Sequence, residues 1–249
     1  MSPPLQSGFG IGFSIARALL AIGLCAKAGA TTIVAIWSPT KIVITGDSLL
    51  NINWTGKGGV RLHRYSNVCK IRKFGSNYIS AAGNYHIQIA GFDVWDTAER
   101  TCGASASVSE CTVRFKEELR KQLTRTVAVH EIYLSVLVAG LQNGVPALDH
   151  VTFIGKKQER VTMTSESFRE GRQTWGRVIL GDRDAIDQYE RDAASTMSGS
   201  IQEQALSLVR VEARARPQEV GAPFSTLAIV AAGAHWVNPG YCSSASSSR

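Results

Sequence analysis

Thr31 follows Ala28-Gly29-Ala30, a small-residue stretch of the kind a signal peptidase cuts, so cleavage after Ala30 leaves a threonine at the head of the remaining chain. Such a threonine carries its own base. An α-amino group titrates near 7.7–8.0, so about a tenth to a fifth of it is neutral at pH 7 and can accept the hydroxyl proton, directly or through water. A chain-internal threonine has no such group. Other hydrolytic signatures are absent: there is no GxSxG elbow, no HExxH helix and no phosphate loop ending in GK[ST]. His63, His86, His130, His150 and His235 are isolated from one another and read as surface or satisfied core histidines. Gly56-Lys57-Gly58-Gly59 reads as a turn rather than a phosphate cradle.

The segment that would have to leave is compositionally distinct. Residues 1–30 contain no acid, and Arg17 precedes the apolar run at residues 18–26. That run is well short of the roughly twenty residues a membrane-spanning helix needs. The segment therefore reads as a signal peptide or a removable propeptide, with no stable membrane anchor and a secreted or periplasmic destination. Ala26-Lys27-Ala28 offers a second cleavage point.

Cysteine usage fits export. Cys25 would depart with the leader, leaving Cys69, Cys102, Cys111 and Cys242, an even set suited to an oxidising compartment. Cys102 and Cys111 flank a Gly/Ser/Ala-rich stretch and are the expected disulfide pair, with two free thiols beside a loop as the alternative. Neither a CxxC nor a metal-ligand spacing occurs, so neither zinc nor a cofactor is indicated. The chain of 249 residues has 27 Lys and Arg against 20 Asp and Glu, but the basic residues are scattered without interleaved aromatics. Nucleic acid is not an expected partner.

These residues must be held by strands and helices, which the patterning places in groups. β-branched runs at residues 32–36 and 41–45 form one expected hairpin, and residues 68–74 and 77–82 a second. Helices are expected at residues 86–99 and 108–128. Strands follow at residues 133–141, 150–154 and 160–164, then helices at 183–194 and 200–215 and a last strand at 226–231. Grouped rather than alternating elements indicate an α+β fold with layers. One domain is expected over residues 31–238, with a disordered tail at 239–249.

Three blocks give the chain a family likeness. Thr31-Thr32-Ile33-Val34-Ala35-Ile36, then Ile42-Val43-Ile44-Thr45-Gly46-Asp47-Ser48, then Cys69-Lys70-Ile71 with Tyr78-Ile79-Ser80-Ala81-Ala82-Gly83 resemble the proteasome-type β-subunit family of N-terminal-nucleophile hydrolases. The sixteen-residue step from Thr31 to Asp47 is the family spacing, and the third block carries one extra residue. The resemblance implies a four-layer αββα sandwich, with two antiparallel sheets between helix layers. It also implies roles: Thr31 as nucleophile, the Gly83 amide as oxyanion donor, Lys70 as positive charge beside the nucleophile, and Asp47 as the carboxylate that orients Lys70. A peptide or small amide would be the substrate. Leu50 and Ala81, with Tyr85 just beyond, would adjoin the specificity pocket. Family subunits assemble into rings, which leaves homo-oligomerisation open.

The chain also departs from the family. Where a Gly-Ser-Gly-Ser turn is usual, it reads Gly181-Asp182-Arg183-Asp184, so Asp182 stands for the serine near the nucleophile. An Asp and Ser expected near Val220, before Gly221-Ala222-Pro223, are missing, with Glu219 or Ser225 as substitutes. Ala30 stands where self-processing favours glycine, which points to signal peptidase as the processing enzyme. These changes sustain a rival reading, a non-catalytic binding or assembly subunit of the same fold. A basic secreted binding protein with a stapled helical loop is a third.

Overall fold

Alternation along the first strand sets the architecture. In β1 (Thr32–Ser38), Ile33, Ala35 and Trp37 turn to one apolar core and Val34 and Ile36 to another, so both faces are buried. The hairpin partner β2 (Lys41–Gly46) divides the same way, Ile42 and Ile44 against Val43. The chain continues through β3 (Leu50–Gly56), β4 (Gly59–Tyr65), β5 (Ile71–Phe74), β6 (Asn77–Gly83), β7 (His86–Ile87) and β8 (Phe92–Asp93) to helices α1 (Val94–Cys102) and α2 (Val108–Thr126). Then come β9 (Ile132–Gln142), β10 (Val145–Gly155), β11 (Thr162–Phe168), β12 (Gly176–Gly181), α3 (Asp184–Asp192), α4 (Ile201–Ala215), β13 (Ser225–Val230) and β14 (Gly233–Asn238). The structure, a computed structural model, describes residues 31–56, 59–65, 67–87, 90–168, 175–192 and 199–242. The expected leader, with Cys25, and residues 243–249 lie outside the described residues.

The fold is mixed α+β, with four helices among the described residues and two large antiparallel sheets. One sheet runs β12-β1-β2-β13-β14 and the other β11-β10-β9-β6-β5. Between them lies a core to which the first contributes Ile33, Ile44, Leu227 and Ile229 and the second Ala82, Leu137, Ala139 and Leu148. On the outer face of the first sheet, Ile186 of α3 and Ile201, Ala205, Leu208 and Val209 of α4 meet Val34, Val43 and Ala228. On the outer face of the second, Ala98 of α1 and Phe115, Leu119 and Leu123 of α2 meet Ile79, Leu134, Val136 and Phe153. Each fully buried Leu, Ile or Phe contributes about 1.5–3 kcal/mol.

The helices begin where their caps dictate. Asp93 accepts from the amides of Trp95 and Asp96, Ser107 from that of Glu110, and Ser200 and Glu203 form a reciprocal capping box. The Asp93 cap explains a correction: where a helix was expected from residue 86, His86–Ile87 pair with Phe92–Asp93 as β7 and β8, and the helix begins only at Val94. Among the other expected strands, β9 and β10 pair through an Asn143-Gly144 turn in which both φ angles are positive. The pattern missed β3, β4, β12 and β14. Gly56 pairs with Gly59 at the end of the β3–β4 ladder, and residues 57 and 58 of the glycine cluster lie outside the described residues. β14 displaces β13 as the last strand.

Both disulfides form among the four expected cysteines: Cys102–Cys111, joining α1 to α2, and Cys69–Cys242. The second corrects the expected boundary at residue 238. Cys242 is buried, and Pro239 accepts a hydrogen bond from Ser225 Oγ at 2.9 Å, so residues 239–242 pack on the domain. The two bonds suit an oxidising environment. Among the described residues no helix is long and apolar enough to cross a membrane.

Candidate active site

Thr31 stands one residue before β1 and is held by its backbone. Its carbonyl accepts from the amide of Asp182 at 2.9 Å, and the Asp182 carbonyl accepts from Thr32 Oγ1 at 2.9 Å. Thr32 pairs with Gly181, the last residue of β12. Gly181 has φ +83°, and a Cβ there would lie 1.6 Å from the Thr31 carbonyl oxygen, so only glycine permits this approach. In the 249-residue chain Thr31 is buried and its nitrogen is a peptide nitrogen, joined to Ala30.

Asp47 follows β2 directly, and three backbone amides grip its carboxylate. Oδ1 accepts from Thr32 at 3.0 Å, while Oδ2 accepts from Leu49 at 3.0 Å and Gly221 at 3.4 Å. Lys70, one residue before β5, brings its Nζ to 2.8 Å from both Asp47 Oδ1 and Thr31 Oγ1. The ion pair is almost wholly out of water, with side-chain exposures of 2% for Lys70 and 0% for Asp47. Burial lowers the Lys70 pKa from its ordinary value, and the charge and hydrogen bond of Asp47 oppose that shift. An ammonium so placed can stabilise negative charge developing on Thr31 Oγ1. The Cys69–Cys242 disulfide fastens the residue just before Lys70.

Gly83 ends β6 with φ +95°, and a Cβ there would meet the Tyr133 carbonyl oxygen at 2.1 Å. The next residue, Asn84, donates its N–H to the Tyr133 carbonyl at 2.7 Å and accepts from the Tyr133 amide through its side-chain Oδ1 at 2.7 Å, which fastens this end of β6 to β9. The neighbouring Ala82 Cβ lies 3.4 Å from where a Gly181 Cβ would be, so this end of β6 abuts the turn that holds Thr31. The structure thus gathers Thr31, Asp47 and Lys70 by direct contact and sets Gly83 at the same end of the sheets.

The two turns at Asp182 and Val220 take other roles than the sequence suggested. Asp182 serves the threonines through its backbone, while its side chain leaves for Arg216, Nη1 to Oδ1 3.2 Å. Of the proposed substitutes near Val220, Glu219 also pairs with Arg216, at 3.3 Å, and Ser225 bonds Pro239. What serves the site there is the backbone of Gly221, donating to Asp47 and accepting from the Ser48 amide at 3.0 Å. Val220 itself is buried against the α3–α4 side of the first sheet. Ala81 is fully buried and Leu50 half-buried, and Tyr85 packs against the α1–α2 core beside Trp95, its phenol pKa raised by burial.

Sequence reasoning missed the Leu49 and Gly221 amides, Arg216 and the Cys69–Cys242 bond. Only the last had a signal: once Cys102 and Cys111 pair, Cys69 and Cys242 are what remains. Among the described residues no three His, Cys, Asp or Glu side chains converge as a metal site requires. Compared with known proteins, the chain matches no protein-family model and no curated protein.

Proposed function

We propose that this chain is a threonine-type N-terminal-nucleophile hydrolase that cleaves an amide bond in a peptide or small amide once residues 1–30 are removed. The observation that carries the reading is the position of Lys70 Nζ, 2.8 Å from both the Thr31 hydroxyl and the Asp47 carboxylate, in an ion pair whose side chains are almost wholly buried. Two antiparallel sheets with a helix pair against each outer face support the αββα sandwich of that hydrolase class.

The chemistry then runs through residues already described. Cleavage of the Ala30–Thr31 bond frees the Thr31 amine, which takes the Oγ1 proton as Oγ1 attacks the substrate carbonyl. Lys70 and the Gly83 amide stabilise the resulting negative charge. Collapse expels the amine leaving group with the transferred proton and leaves an ester on Thr31, which water hydrolyses. With Ala30 preceding Thr31, signal peptidase during export is the processing agent in this reading.

The test is intact mass with N-terminal sequencing of natively expressed protein, before and after treatment with an electrophile selective for N-terminal threonine. The expected result is a start at Thr31 and a single adduct, absent from Thr31→Ala. A retained leader with no adduct would instead support the non-catalytic binding subunit, and a start at Gly29 or upstream would exclude unmasking by signal peptidase.

A further inference from the structure

We propose that Arg216 is a positioning residue for the Thr31 nucleophile, an inference that rests on the function proposed above. Arg216 caps the C-terminus of α4, its amide donating to the Glu212 carbonyl at 2.8 Å. Its guanidinium reaches four carboxylates. Nη1 lies 3.2 Å from Asp182 Oδ1 and 3.3 Å from Glu219 Oε2, Nε lies 3.3 Å from Glu212 Oε1, and Nη2 pairs with Asp184.

Two of these carboxylates belong to the turns that grip the site. Asp182 is the residue whose amide and carbonyl hold Thr31 and Thr32. Glu219 stands two residues before Gly221, whose amide holds Asp47 and whose carbonyl holds Ser48. One planar cation therefore ties the turn on the nucleophile side to the turn on the carboxylate side. A third carboxylate braces the first turn: Glu212 is fully buried and accepts from the amides of Ala185 and Ile186 at 3.0 and 3.2 Å, fixing the start of α3 just after Asp182.

The arrangement depends on arginine. Asp182, Asp184, Glu212 and Glu219 would repel one another without it, and a guanidinium fork reaches several carboxylates at once where an ammonium acts as a point. Loss of the clamp lets the two turns separate. The Thr31 carbonyl then loses its fixed donor, and Oγ1 is no longer held opposite Lys70. Misplacement of this kind lowers rate rather than binding.

The experiment uses processed protein and the threonine-selective electrophile at varied concentration. Arg216→Gln is expected to slow the limiting labelling rate about tenfold or more with half-saturation unchanged, and Arg216→Lys to recover only part of it. Hydrogen exchange supplies the second readout. The Asp182 and Gly221 amides should exchange faster in Arg216→Gln and at the wild-type rate in Arg177→Gln, which breaks the Arg177–Glu190 pair instead. Labelling at the wild-type rate in Arg216→Gln, or slowed labelling with both amides still protected, overturns the positioning role. Should that variant fail to fold, Asp182→Asn keeps the backbone bonds and removes the ionic tie to Arg216; several-fold slower labelling is expected, and an unchanged rate overturns the role. Failure of the wild-type protein to label overturns the proposed function itself, which is a different result from a variant that labels normally.

Discussion

The second sheet carries another hydroxyl beside a nitrogen side chain, and it differs instructively from Thr31 and Lys70. Ser135 Oγ lies 2.8 Å from His150 Nε2, which also contacts Thr152 Oγ1 at 3.1 Å, and His150 Nδ1 faces Glu166 Oε2 at 3.8 Å. Serine, histidine and glutamate in sequence of contact suggest a relay. The acid, however, is 66% exposed and beyond hydrogen-bond length, and the hydroxyl and imidazole share a second hydroxyl. At Thr31 the acid is buried and gripped by three backbone amides, so the lysine has one place to stand. A hydroxyl–nitrogen contact becomes chemistry only when the groups behind it are fixed, and here backbone rather than side chains does the fixing.

The contrast breaks most readily at Asp47. Asp47→Asn leaves the buried Lys70 ammonium without its counter-charge and is expected to cost about 3–5 kcal/mol in denaturant unfolding. Lys70→Met should cost less, because the Asp47 carboxylate keeps its amide donors, yet it should slow electrophile labelling about 100-fold or more. Equal stability losses in the two variants would mean that the amides contribute little.

The Ser135 cluster should behave as structure. Ser135→Ala is expected to lose about 1 kcal/mol in chemical denaturation and to label like wild type. Burial holds the His150 pKa below its ordinary value of 6.5, against the opposing pull of Glu166. The unfolded chain therefore binds the proton first as pH falls. His150 lowers stability on descending through the window below pH 6.5, an effect that levels off once the folded imidazole protonates too. Melting temperature measured against pH should show this slope, and His150→Gln should remove its share. Smallest of all, Glu166→Gln should change stability by no more than about 0.5 kcal/mol. Labelling that fell in either Ser135→Ala or His150→Gln would make the second cluster part of the reaction.

Legibility followed the physics of each signal. The β1–β2 and β9–β10 hairpins and helices α2 to α4 were visible because apolar period and caps coincide, as with Ser200 and Glu203 around the Ile201 turn. β12 was hidden: its six residues hold only two buried positions, Ile179 and Leu180, and no alternation long enough to read. At the site, Thr31 was marked by its place after the leader, Asp47, Lys70 and Gly83 only by the resemblance, and the structure brings Thr31, Asp47 and Lys70 into contact. The amides of Leu49, Asp182 and Gly221 were not legible, since every residue type but proline offers that donor and only the folded path selects which three matter. Asp182 and Glu219 were misread because their partner, Arg216, lies in a helix terminus remote in sequence from Asp182 and Thr31.

The Cys69–Cys242 bond joins positions 173 residues apart, so the segment that delivers the lysine is fastened by the last described residue of the domain. A polypeptide cut short before that point could still close Cys102–Cys111, nine residues apart, but could never make this link. Covalent fastening of the lysine's segment is thereby reserved for chains synthesised through Cys242 and exposed to an oxidant.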